Sequence, residues 1–231
     1  MKTSTTRLAA LLGVTATTAL AVTGCGAGDD DAGTTPASTA AGAAATAPAA
    51  AGAVDRAFVS QMIPHHQMAV RMAGYAPDRA ERQQITTLAR SITEEQNTEI
   101  ARMRSAARRL GAKVAAVPAH GSMDHGAHDA SGMSGDAATL GVSMDDMGMS
   151  MDMGALGTAK PFDRAFIDEM IPHHQGAITM ARTELARGTD PELRRLATAI
   201  VDAQSQEIRR MNEWRARWYG APSPAGGVPK A

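Results

Sequence analysis

The hexapeptide Met-Ile-Pro-His-His-Gln occupies residues 62–67 and recurs unchanged at 170–175. Paired imidazoles can hold a metal, move a proton or join a buried hydrogen-bond network, and their neighbours decide between these uses. Met62 and Met72 stand three before and seven after His65, and Met170 and Met180 hold the same places around His173. On a helix those spacings put thioether and imidazole on one face. Imidazole with thioether is a donor set that suits copper, Cu(I) above all. Adjacent helical residues point about 100° apart, so one histidine of each pair is expected to bind while His66 or His174 flanks or bridges. His65 and His173, on the methionine-bearing face, are the expected inner pair.

Two further segments carry polar residues inside apolar stripes: Gln96 and Glu99 with Met103, and Gln204 and Glu207 with Met211. A buried neutral imidazole needs a hydrogen-bond partner or a metal, and these side chains can be partners or alternative ligands. They also support a simpler reading, in which His, Gln and Glu form a polar layer that sets helix register in a structural or interaction bundle without catalysis. A di-iron oxidase of the bundle type needs Glu-x-x-His on two helices. Here Glu169 stands four residues before His173, and its counterpart before His65 is Gln61. No Ser-His-Asp order, phosphate-cradling glycine loop or cysteine nucleophile offers another catalytic route, so no enzyme activity and no organic cofactor are expected.

Between the two segments lies a third group of donors: His120, His125 and His128, then Met144, Met147, Met149, Met151 and Met153 among Gly, Asp and Ser. Methionine in a helical stripe is usually core. This spacing has no stripe, so these methionines are expected to stay out of the core and act as a labile Cu(I) or Ag(I) tract, with the histidines adding affinity for Cu(II) or Zn(II).

The elements that position these residues follow from a repeat. Residues 55–72 align without gaps on 163–180, with twelve of eighteen positions identical. The same offset carries Leu88, Ile92, Gln96, Glu99, Ile100 and Met103 onto Leu196, Ile200, Gln204, Glu207, Ile208 and Met211. Apolar doublets at 58/59, 62/63, 69/70 and 72/73 recur at the helical period, and the missing doublet at 65/66 is the histidine pair. Asp55 and Asp163 are predicted N-caps, Pro64 and Pro172 are predicted to bend or restart their helices, and second helices are predicted to start at Asp78 with Glu81 and at Asp190-Pro191. Arg108, Arg109 and Lys113, and likewise Arg215 and Arg217, suit the helix C-termini. Each unit is an αα-hairpin that cannot cover its own stripe, so two of them predict an all-α four-helix bundle with a pseudo-twofold axis.

Lys2 and Arg7 precede an apolar run from Leu8 to Val22 that is short for a membrane span and fits an export signal. It ends in Val-Thr-Gly-Cys, which resembles a bacterial lipobox with Cys25 as the lipidated residue, and Cys25 is the only cysteine. No intrachain disulfide can form, and a metal site must do without thiolate. The expected organisation is a lipoprotein signal at 1–24, a flexible tether at 25–53, hairpins at 54–110 and 161–219, a His/Met-rich linker at 111–160 and a flexible tail at 220–231. With a formal charge of -1 and 3% aromatic residues, nothing points to nucleic acid.

The Phe-x-x-x-Met-Ile-Pro-His-His-Gln-x-Ala-x-x-Met segments at 58–72 and 166–180, with Ile-x-x-x-Gln-x-x-Glu-Ile-x-x-Met at 92–103 and 200–211, resemble the bacterial family called domain of unknown function three hundred and five. The resemblance implies a ferritin-like four-helix bundle and, from its better understood members, extracytoplasmic copper binding linked to copper tolerance. Carried onto this chain, it implies His65, His66, His173 and His174 as ligands, with Met62, Met72, Met103, Met170, Met180 and Met211 as thioether candidates. Met68 has no counterpart, because Gly176 takes its place in the second unit. The expected protein is exported and anchored by lipid to the outer face of the cytoplasmic membrane or to the periplasmic side of the envelope, and it sequesters copper or relays it, a relay requiring a transporter or oxidase as recipient.

Overall fold

The apolar doublets wind into a helix, as their period requires. The computed structural model describes residues 46–114, 130–143 and 145–230, with side chains from 52 in the first segment and from 134 in the second. The signal segment, Cys25, His120, His125, His128 and Met144 lie outside the described residues. Within them the elements are α1 (Thr46–Ala73), α2 (Ala76–Arg79), α3 (Gln83–Leu110), α4 (Ala130–Leu140), α5 (Met153–Thr158), α6 (Phe162–Arg187) and α7 (Pro191–Tyr219). All are helices, as expected for a ferritin-like bundle.

Helix α1 packs along α3, and α6 along α7, giving the two expected hairpins; α1 against α6 joins them. Helix α4 lies on α1 as well. Helices α1 and α6 are therefore central, which buries Phe58, Met62, Ile63, Met72, Phe166, Ile167, Met170 and Met180. Each such side chain contributes roughly 1.5–3 kcal/mol when removed from water. Helices α3 and α7 cover them from outside and bury one face each, through Ile85, Leu88, Ile92, Ile100 and Met103, and through Leu193, Leu196, Ile200, Ile208 and Met211.

Several local expectations change. Helix α1 begins at Thr46, inside the segment read as tether, so Asp55 is not its N-cap. Instead Asp55 accepts hydrogen bonds from the Thr189 amide (2.8 Å), the Thr189 hydroxyl (2.8 Å) and the Asp190 amide (3.1 Å). Asp163 does the same for the other repeat, accepting from the Glu81 amide (2.9 Å) and the Arg82 guanidinium (3.0 Å). Each aspartate thus satisfies the turn between the helices of the opposite hairpin. The expected start at Asp78 gives way to the short α2 and a break at residues 80–82, after which α3 starts with no side-chain cap. Asp190 does cap α7, accepting from the Glu192 and Leu193 amides at 2.9 and 3.1 Å. Pro64 and Pro172 sit inside helices assigned without a break, rather than at restarts.

The far ends follow sequence more closely. Gly111 takes a left-handed φ of 64° after α3, with the Ala112 amide donating back to the Ala107 carbonyl, and Gly220 ends α7 at φ 86°. Arg215 is buried and does two things: its Nη1 donates to the Ala221 carbonyl just past the end of α7 at 2.9 Å, and its Nε and Nη2 form a two-pronged pair with Asp168 at 3.0 and 3.1 Å. The segment read as a flexible tail runs back over the bundle, its Ala225 and Gly227 carbonyls accepting from Gln175 at 2.9 and 2.7 Å.

Candidate metal centre

The two histidine pairs are carried at equivalent points of α1 and α6, and all four imidazoles are buried. His65 and His173 face each other across the hairpin interface, with ring centroids 3.7 Å apart and an interplanar angle of 39°. His66 and His174 turn outward within their own hairpins. The Nε2 of His66 lies 2.8 Å from a Glu99 carboxylate oxygen, and that of His174 lies 2.7 Å from the equivalent oxygen of Glu207. The division into an inner and an outer pair is the one the helical period predicts.

These contacts assign protons. A carboxylate only accepts, so in neutral His66 and His174 the proton sits on Nε2 and leaves the Nδ1 lone pair bare. His65 donates from Nε2 to the Met147 carbonyl at 2.8 Å, which bares its Nδ1 as well. Those three Nδ1 atoms, and both nitrogens of His173, are buried without a hydrogen-bond partner. Burial, with His66 close by, pushes the His65 imidazole down to about 3; burial and the facing His65 hold His173 well below the usual histidine range. Both rings are neutral at physiological pH and available as lone-pair donors. Gln96 and Gln204 are buried beside this layer, with the Gln96 carbonyl oxygen and both polar atoms of the Gln204 amide unpartnered.

The carbonyl on His65 comes from the linker. Met147 and Met149 are 1% and 7% exposed and belong to the main core, which corrects the expectation that methionines of this spacing stay out of it. They bury because the backbone here runs flat against α6, with no need for a helical stripe. Gly148, at φ 64°, has the Pro172 carbonyl and the His173 backbone where its own Cβ would sit, 2.6 and 2.8 Å away. A Cβ on Gly176 would overlap the Met147 backbone. Met151 and Met153 are only partly buried against the core.

The sequence matches the family described as domain of unknown function DUF305 over residues 55–215. The chain belongs to the DUF305 family. The solved structure of CopM in the Cu(I)-bound form is 35% identical, aligned over 72% of this chain and 98% of that one with a TM-score of 0.55. CopM in the Cu(II)-bound form is 34% identical over 71% of this chain and 97% of that one, at 0.56. A secreted DUF305 protein from Streptomyces coelicolor is 28% identical over 75% of this chain and 98% of its own, at 0.60. Mimivirus protein L153, from Acanthamoeba polyphaga mimivirus, is 44% identical over 50 residues, which is 22% of this chain and 33% of that protein.

In this DUF305 protein the six bundle methionines expected as thioethers, Met62, Met72, Met103, Met170, Met180 and Met211, are all fully buried. Among the described residues no three His, Asp or Glu side chains converge as a ready-made metal cluster. The donors fit a soft ion that takes few ligands, two imidazoles with thioether help, better than a hard cation that needs several oxygens. Sequence reading missed Gly148, Gly176 and the Met147 carbonyl. The signal was present at Gly176, because a glycine inside a helical motif costs stability and so points to a close approach.

Proposed function

We propose that this protein is a membrane-anchored extracytoplasmic copper-binding protein that sequesters or relays Cu(I), with Ag(I) and Cu(II) as further ions of the same donor set, in copper tolerance. The observation that carries the reading is the surplus of buried imidazole nitrogens. A histidine layer serving helix register alone would close its hydrogen bonds on itself, whereas here five nitrogens are left over. His65 and His173 supply the inner donors. Glu99 and Glu207 act behind His66 and His174, fixing each ring's tautomer so that its Nδ1 lone pair is free to take an ion, the carboxylate–histidine–metal arrangement that orients a ligand and raises its basicity. The copper and silver complexes of CopM, a similar protein, support the choice of ion.

Placement outside the cytoplasm is supported by the export signal and by the secreted relative. Anchoring rests on Cys25 in its lipobox-like setting. The linker histidines His120, His125 and His128, with Met144, Met151 and Met153, serve as a labile tract that collects the ion.

The test is an anaerobic Cu(I) titration against a competing chelator, on wild-type protein and on the His65→Ala/His173→Ala double variant. Wild type is expected to bind stoichiometrically and the variant at least tenfold more weakly; equal affinity sinks the reading. Anchoring is tested separately: Cys25→Ala should move the protein from the membrane fraction to the soluble one.

A further inference from the structure

The two repeats are symmetric in their histidines, yet among the described residues the linker bonds to the histidine of one repeat and not to its counterpart. Residues 145–150 lie over the junction of α1 and α6. Within this strap the Met147 carbonyl accepts a hydrogen bond from His65 Nε2–H, while the equivalent Nε2 of His173 has no partner. Two glycines let the strap lie this close. Gly148 meets the α6 backbone at Pro172 and His173, and Gly176 leaves the space that the Met147 backbone fills. The first repeat carries Met68 where the second carries Gly176, so one of the six departures from the repeat falls at the point where the strap touches down.

We propose that the 145–150 strap is a lid over the His65–His173 pair, seated where the Met147 backbone meets Gly176 and Gly148 meets Pro172 and His173, and that it must lift for an ion to reach the pair. This rests on the metal reading above and adds its regulation. Met147 and Met149 are buried under the closed strap, so lifting it would bring two thioethers to the surface together with the histidines. The lid would then present a soft ion with thioether first and imidazole second. Among the described residues the strap is tied to the bundle by the His65 hydrogen bond, the glycine fit and the burial of Met147 and Met149, so lifting it is a local opening that exposes two core side chains while the helices stay packed.

The experiment compares full-length wild type with Gly176→Ala and, separately, Gly148→Ala. The first places a methyl under the strap; the second places one on the strap, outside any helix, so that both contacting surfaces are probed. Amide hydrogen exchange of residues 145–150 is measured in metal-free protein, and Cu(I) loading is followed by stopped flow from a chelator-buffered donor. Both variants are expected to exchange at least tenfold faster in the strap, with helicity by circular dichroism retained, and to load Cu(I) at least tenfold faster. Unchanged strap exchange in both variants overturns the seating. Faster exchange without faster loading overturns the gate alone. A wild-type protein that takes up no Cu(I) overturns the metal reading, and the gate with it.

Discussion

His65 and His173 meet ring to ring in the core, one from each repeat, with 3.7 Å between centroids. Neither ring can take a proton there at modest cost: His65 is held down to about 3 and His173 well below the usual range, both chiefly by burial. The unfolded chain binds these protons near pH 6.5 and the folded chain does not. Their contribution to stability is therefore complete above about pH 6.5 and is lost as pH falls below it. Each ring adds about 1.4 kcal/mol of destabilisation per pH unit. Urea midpoints of metal-free protein between about pH 7 and 4 should fall steeply, and His173→Leu should remove one ring's share of that slope. An identical slope in the variant contradicts the assignment.

Glu184 gives the opposite dependence. Its carboxyl is buried against Gly188 with neither oxygen hydrogen-bonded, and burial first, then the neighbouring carboxylates of Asp55 and Asp190, push it up to about 8, against a smaller pull from Arg194. Folded protein keeps this proton where the unfolded chain has released it, so stability falls as pH rises from about 4.5 to 8. Replacing it by Gln should flatten the profile, with a relative gain of about 2–4 kcal/mol at pH 8 over pH 5. Thermal melts of wild type and Glu184→Gln across that range check it; parallel profiles would dismiss the buried acid.

Gly176→Ala provides a test of sign. In an ordinary helix interior the change stabilises by about 0.5–1 kcal/mol. Here the added methyl overlaps the Met147 backbone, and overpacking costs about 1–3 kcal/mol, so a lowered melting temperature is expected. Gly135→Ala in α4, where nothing lies within 4 Å of the added carbon, is the control and should melt no lower than wild type.

Glu99→Gln and Glu207→Gln should each lower Cu(I) affinity by roughly 10–100-fold, as loss of a ligand's carboxylate partner does at other metal sites. An amide can present either a donor or an acceptor to Nε2, so the tautomer that bares Nδ1 is no longer enforced. Chelator competition on each variant reads the effect, and undiminished affinity in both would remove the carboxylates from the site.

The helices and their pairing were legible because doublets at the helical period, interrupted at 65/66 by histidines, leave one way to bury two equal hairpins. The inner and outer histidines were legible for the same reason, since 100° of rotation sends neighbours to different partners. The strap was not. Met147 and Met149 are buried where the Met147 backbone fits over Gly176 and Gly148 fits against Pro172, a fit that no local period announces. Asp55 looked like a cap because caps are local, but its partners, Thr189 and Asp190, lie in the other repeat. The tail at 220–231 was expected to be flexible, while its carbonyls are held by Gln175 and Asn212 side chains whose reach no local pattern in the tail announces.

The exchange of aspartates between repeats has a further consequence. Asp55 completes the turn of the second hairpin, and Asp163 that of the first. A chain carrying one hairpin alone would find that acceptor only in another copy of itself, and would bring His65 against its own duplicate by the same rotation. The contact between the repeats has the self-complementary form of an isologous dimer, written here on a single polypeptide. That covalent union is what allows the two halves to diverge, so that one can carry Met68 and the other the Gly176 on which the strap rests.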